Sequence, residues 1–220
     1  PGDPVAPINE EANYGGNAYG WTYPNEYLRS LYDKDKDKRL QFYFYPDTLY
    51  GNNPASAYYE KKLPGDPPYS TQLRQYTWSL MKYRDLSKPA KRALSYKPFI
   101  AYRLADTYIL GAEAHWRKGN TEKALEYLNA IRLRAGLEEA TTIDLQAIMD
   151  EYARELCFEG KRWFFLKRIG KLVEQVNKYH RFGSTTSSIQ GTTMKDYMVR
   201  WPIPQAQIDA MGTFPQNPQY

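Results

Sequence analysis

The chain has 220 residues, of which 42% are hydrophobic and 25% charged, as in an ordinary globular protein with a buried core. Its 15% of aromatic residues argues against a disordered chain. One cysteine excludes an internal disulfide framework, and one cysteine with two histidines is too few for a Cys/His metal cluster. No apolar run approaches the ~18–20 residues that a membrane-spanning helix needs.

The formal net charge of +5 raises nucleic acid as a partner, but the charge pattern lowers that expectation. Residues 33–39 alternate acids with bases and are close to neutral. One basic concentration falls at the end of a predicted helix, where cations complement the helix dipole. It comprises Lys161, Arg162, Lys167, Arg168 and Lys171. We therefore expect no nucleic-acid partner.

Three zones divide what we interpret as one structural domain. Residues 1–98 are rich in proline and tyrosine and lack sustained helical periodicity. They predict a long, ordered, irregular layer with short strands or helical turns, one of them at residues 40–45. Residues 99–172 predict a helical core, and residues 173–220 a C-terminal loop and extended tail.

The helical core begins with the pattern of a tetratricopeptide-like hairpin. Apolar residues recur at helical spacing from residue 100 until Gly119-Asn120, a usual stop signal. Thr121 is a suitable N-cap for a second helix. The small residues Ala112 and Ala124 would let the two helices pack closely.

A third helix should start near Asp144, with Thr141 or Thr142 as its cap, and run to about Gly160. The expected fold class is therefore mainly α. It combines a tetratricopeptide-like hairpin and a further helix with a long irregular layer and a few short strands. A single hairpin cannot bury both its faces and needs neighbours.

No residue pattern indicates catalysis, a cofactor or a metal centre. Cys157, between two large apolar residues, suits a small core position better than a nucleophile. Glu155 and Glu159 lie one helical turn apart beside arginines, and ion pairing explains them better than glycosidase chemistry. The run Asp33-x-Asp35-x-Asp37 starts like an EF-hand but lacks its glycine and final glutamate, which leaves only a looser calcium site open.

Aromatic residues are dense between positions 14 and 59, where they make up 13 of 46 residues. Flat aromatic faces stack on sugar rings, and nearby amides bind the hydroxyls. This pattern gives the candidate ligand-binding residues Trp21, Tyr23, Tyr50, Asn52, Asn53, Tyr58, Tyr59 and Trp78. The alternative for each of them is packing of the irregular layer onto the helices.

Three blocks in fixed order carry a family resemblance. They are Arg103-Leu-Ala-Asp-Thr-Tyr-Ile-Leu-Gly-Ala-Glu113, later followed by Arg134-Ala-Gly-Leu137; Glu155-Leu-Cys-Phe-Glu159-Gly-Lys-Arg162-Trp-Phe; and Trp201-Pro-Ile-Pro204 with Gln216-Asn217-Pro-Gln-Tyr220. Together they resemble the C-terminal half of the SusD/RagB family, the glycan-capturing outer-membrane lipoproteins of Bacteroidetes-type bacteria. A weaker match at Asp37-x-Arg39 extends the resemblance upstream. Tyr152, Phe165 and Gln219 depart from the usual Arg, Asp and Gly.

The resemblance implies a non-catalytic, surface-exposed lipoprotein of the outer membrane. It would bind an oligosaccharide or other nutrient and deliver it to a SusC-like TonB-dependent transporter. The family's N-terminal half, with its lipidated cysteine, has no counterpart here, so we interpret the chain as a fragment whose lipid anchor lies in the missing part.

The charged residues of these blocks have a physical role of their own. We expect a network that clamps the hairpin to the third helix, built from Arg103, Glu113, Arg132, Arg134, Glu155, Glu159 and Arg162. Two other functions stay open beside glycan binding. One is a tetratricopeptide-type scaffold that binds a peptide, and the other is an all-helical glycoside hydrolase.

Overall fold

A computed structural model of the chain describes residues 22–44, 50–62, 78, 80–88, 94–179, 193–212 and 214–220. The chain forms two compact units, Pro1–Cys157 and Phe158–Tyr220. The first unit contains α1 (Glu26–Ser30), α2 (Arg39–Tyr43), α3 (Leu104–Arg117), α4 (Thr121–Arg134) and α5 (Leu145–Glu155). The second contains α6 (Arg162–Arg168), α7 (Leu172–Tyr179), a 3₁₀ turn (Asp196–Val199) and α8 (Gln205–Met211). The predicted, mainly helical fold class is confirmed. Among the described residues, no helix has the length and apolar character to cross a bilayer.

Helices α3 and α4 form the predicted hairpin. The two helices pack against each other, and Ala112 and Ala124 are both fully buried. Gly119 ends the first helix with φ +76°, a left-handed conformation that glycine adopts without strain. The second helix is capped by Asn120, whose side chain accepts a hydrogen bond from the amide of Lys123 at 3.1 Å. The prediction of Thr121 as the cap is therefore one residue late.

Helix α5 packs against the hairpin. Its N-cap is Asp144, whose carboxylate accepts a hydrogen bond from the Ala147 amide at 2.7 Å, so the prediction of Thr141 or Thr142 is wrong. The helix also ends earlier than predicted, at Glu155. Phe158 has φ +62°, which no right-handed helix accommodates.

Short segments from the N-terminal part of the first unit dock on these helices. The Tyr32 hydroxyl donates to the carbonyl of Arg154 at 2.7 Å. The Lys38 amide donates to the carbonyl of Ala135, beyond the end of α4, at 2.9 Å. These contacts place residues 32–39 against both the hairpin and α5.

The sequence predicts a few short strands in the irregular layer. In the part of this layer that the structure describes, they are isolated β-bridges. For residues 40–45 the sequence predicts a strand or a helical turn. Residues 40–43 lie in α2, Phe44 forms a bridge, and Tyr45 lies outside the described residues. The bridges pair Phe44 with Leu80, Tyr50 with Lys62, and Gly51 with Tyr59.

Amide side chains hold irregular segments to the helices in the same way at two places. Asn129 of α4 donates to the carbonyl of Ala140 (3.1 Å) and accepts from its amide (2.8 Å). In the second unit, Asn177 of α7 makes the same pair of bonds with Met194, at 2.9 and 2.7 Å. In each case one carboxamide side chain pairs with both the N–H and the C=O of a single backbone residue, as a neighbouring strand would in a sheet.

Candidate functional site

A buried arginine organises the charged centre of the first unit. Only 4% of the Arg39 residue surface is exposed. Its Nε and Nη2 atoms donate to the two carboxylate oxygens of Asp37 at 2.8 and 2.7 Å. Its Nη1 donates to Glu151 at 2.6 Å and to Glu155 at 3.1 Å. Three carboxylates therefore converge on one guanidinium.

Further arginines surround these carboxylates. Arg103, which precedes α3, and Arg134, at the end of α4, each donate to Oε1 of Glu155 at 2.5 Å. Arg154 donates to Glu151 at 2.6 Å. Both glutamate side chains are fully buried. The cluster thus joins α2, both helices of the hairpin and α5 through charge-assisted bonds.

The arginines determine the charge state of the two glutamates. Burial alone would raise the pKa of Glu155, but the hydrogen bond and charge of Arg103, with the charge of Arg134, outweigh it and lower that pKa. Burial acts in the same direction on Glu151, but the charges and hydrogen bonds of Arg154 and Arg39 together outweigh it, so this pKa is lowered too. Both carboxylates are therefore ionised at neutral pH.

Arg39 and the half-buried Tyr43, whose hydroxyl donates to Glu155 at 3.3 Å, also have a fixed protonation state. Burial opposes the charged form of Arg39, but its bonds to Asp37 and the charge of Glu151 raise its pKa further. Burial and the neighbouring charge of Glu155 raise the pKa of Tyr43 to about 12. Neither the two glutamates nor Arg39 nor Tyr43 is suited to exchange a proton near pH 7, so their chemistry is that of a structural clamp.

The structure brings together several of the residues predicted to form the network. Arg103, Arg134 and Glu155 meet as described. Arg132 lies 3.5 Å from Glu151, and Glu113 accepts a hydrogen bond from Arg117 one turn further along α3. Glu159 and Arg162 belong to the second unit, so their membership stays a prediction.

Sequence reasoning missed four members of the cluster, Asp37, Arg39, Glu151 and Arg154. One signal was present, since Asp37-x-Arg39 was part of the weak upstream match. The contact of Arg39 with the glutamates of α5 could not be predicted, because no regular spacing in the sequence connects residue 39 with that helix.

Three of the candidate aromatic residues lie in a loop at residues 50–62, and two of them are exposed. Tyr50 is 58% exposed and Tyr59 is 41% exposed. The Gly51 amide donates to the Lys61 carbonyl at 3.0 Å, and the Gly51 carbonyl accepts from Glu60 at 2.8 Å. A Cβ on Gly51 would lie 2.1 Å from the Tyr58 carbonyl oxygen, so only glycine permits this closure.

The remaining candidates have different surroundings. Asn52, Asn53 and Tyr58 are half-buried in the same loop, where the Asn53 side chain accepts from the Ala55 amide at 3.1 Å. Tyr23 is also half-buried. Trp21 lies outside the described residues.

Trp78 has the surroundings of a core residue. It is 5% exposed and lies against Tyr32 and Phe44, with ring centroids 6.3 and 5.4 Å away. The Arg29 guanidinium lies 4.7 Å from the centre of its ring. This burial leaves no open ring face for a ligand, so we assign Trp78 to the core.

The three blocks described above lie within a longer match, in which the model of a known protein family covers almost the entire chain. The model of the SusD family matches residues 6–220. The chain belongs to the SusD family.

Solved and curated relatives agree with this membership. The starch-binding protein SusD of Bacteroides thetaiotaomicron is 33% identical over 140 residues, which cover 63% of this chain and 24% of that protein. Surface glycan-binding protein A from the same species, solved in complex with laminarihexaose, is 26% identical with a TM-score of 0.59, over 87% of this chain and 39% of that one. A SusD superfamily protein from Bacteroides vulgatus, 22% identical with a TM-score of 0.55, has the same fold over 85% of this chain and 42% of its own. The chain thus spans about a quarter of the curated SusD and about two fifths of these structures.

The SusD-family blocks have visible structural roles. The first two contribute Arg103 and Glu155, which meet in the buried cluster. In the third block, Gln216 accepts from the Ile203 amide at 2.8 Å and donates to the Ile203 carbonyl at 2.9 Å. The adjacent Asn217 donates to the Trp201 carbonyl at 2.7 Å. Gln219, which replaces the family's usual glycine, has φ +75°, the conformation that glycine favours.

The acidic run at residues 33–37 is used for local structure. Asp33 accepts hydrogen bonds from the amides of Asp35 and Lys36 at 2.9 and 3.0 Å, while Asp37 binds Arg39. Across the residues with described positions, no three His, Cys, Asp or Glu side chains are grouped as a metal site would require.

Proposed function

We propose that this chain is part of a non-catalytic, cell-surface glycan-binding protein. Its ligand would be an oligosaccharide, which it passes to a SusC-like TonB-dependent transporter in the outer membrane. Membership of the SusD family carries the proposal, because one relative is named for starch binding and another is solved with laminarihexaose.

The loop at residues 50–62 supports this function with suitable chemistry. Tyr50 and Tyr59 offer exposed rings, and Asn52 and Asn53 lie between them in the sequence. Aromatic rings contribute apolar contact area at low entropic cost, while amides supply directional hydrogen bonds to hydroxyl groups. The hydrogen bonds of Gly51 hold the loop closed before any ligand arrives, which reduces the entropic cost of binding.

The buried cluster supports a binding role without catalysis. Glu151 and Glu155 are ionised and fully enclosed by arginines, so neither can act as a general acid toward a glycosidic bond. For the longer protein we propose a lipid anchor outside this sequence and a position on the outer surface of the cell.

Affinity electrophoresis of the protein through gels with different polysaccharides tests the function directly. We expect retardation by at least one glycan and no release of soluble sugar. In calorimetry with an oligosaccharide of that glycan, Tyr50→Ala/Tyr59→Ala should weaken binding by about tenfold or more, since a well-placed ring contributes roughly 1–3 kcal/mol.

Phe42→Ala is the matched control, because Phe42 is 68% exposed but lies outside the loop. Its affinity should equal that of the unmodified protein. Sugar release would favour the hydrolase, and absence of retardation on every glycan would favour the peptide-binding scaffold. If the double variant bound the oligosaccharide with unchanged affinity, the binding surface would lie outside this loop.

A further inference from the structure

We draw no further inference here: the strongest candidate, the surface patch of the second unit where exposed aromatic and basic side chains of α6 adjoin Trp201, carries nothing, because the chain spans about two fifths of its solved relatives and nothing in the structure shows what covers the patch.

Discussion

The Nη1 atom of Arg39 lies 2.6 Å from Oε1 of Glu151, although 112 positions separate the two residues in the sequence. The guanidinium is almost wholly buried and also binds Asp37 and Glu155. A short N-terminal helix and the third long helix are therefore joined by charge where most proteins use apolar side chains. A buried ion pair contributes little net stability over an apolar pair, but removal of one member leaves an uncompensated charge.

Substitution of Glu155 should therefore be strongly destabilising. Glu155→Gln removes the negative charge shared by Arg39, Arg103 and Arg134, and we expect the free energy of unfolding to fall by about 3–5 kcal/mol. Urea denaturation measures the change, with the exposed Glu122→Gln on α4 as the control, expected within about 0.5 kcal/mol. Equal, small effects of both substitutions would show that the cluster behaves as a surface ion pair.

Acid should weaken the same cluster. The pKa values of Glu151 and Glu155 are lower in the folded chain than the ordinary glutamate value of about 4.3. The unfolded state therefore binds protons first as pH falls, and the associated stability is complete above about pH 5 and lost progressively below it. Urea midpoints measured from pH 7 to pH 3 should follow this course, with a shallower decline in Glu155→Gln. Parallel declines in the two proteins would contradict the assignment.

The close packing of the hairpin predicts a strong size limit. Ala112→Leu or Ala124→Leu would force a large side chain into a fully buried position, and we expect each to cost ~1–3 kcal/mol. Ala114, two positions along the same helix, is exposed, so Ala114→Leu is the matched control and should be close to neutral. Thermal unfolding compares the three variants. A neutral Ala112→Leu would show that the helices can separate without loss.

The carboxamide of Gln216 should control local opening near the C-terminus. Gln216→Ala removes both bonds to Ile203, each of which contributes roughly 0.5–1.5 kcal/mol. Hydrogen exchange of the Ile203 amide should accelerate by about tenfold or more, since its acceptor is lost. Gln207→Ala, at an exposed position of α8, should leave this rate unchanged. An unaltered rate in Gln216→Ala would show that another group protects the amide.

The helical part of the fold was largely predictable because its signals are local. Apolar spacing, the glycine at position 119 and the small residues Ala112 and Ala124 all act within a few residues of each other. The ends of helices were less accurate. Asn120 and Asp144 compete with neighbouring threonines as caps, and the sequence does not show which side chain meets the free amide. The early end of α5 depends on the backbone of Phe158, a residue that gives no sign of a left-handed conformation.

The members of the charged cluster and the exposure of the aromatic residues could not be predicted, because both depend on contacts between residues far apart in the sequence. Arg39 stands in a run of alternating charges that is typical of a solvated turn, yet it is buried because Asp37, Glu151 and Glu155 compensate it. Trp78 and Tyr50 both lie among aromatic residues along the chain, but one packs into the core and the other is exposed.

The burial of Arg39 also limits where the first unit can be shortened. A truncated chain starting at residue 94 would keep α3, α4 and α5 entire, with every apolar contact between them. It would nevertheless lack the guanidinium on which Glu151 and Glu155 converge, and the Lys82 ammonium bound to the carbonyls at the end of α5. We expect such a piece to be insoluble or only loosely folded. The helical hairpin is thus recognisable as a repeat unit by its pattern, but we expect it to need residues 37–39 and Lys82 in order to fold.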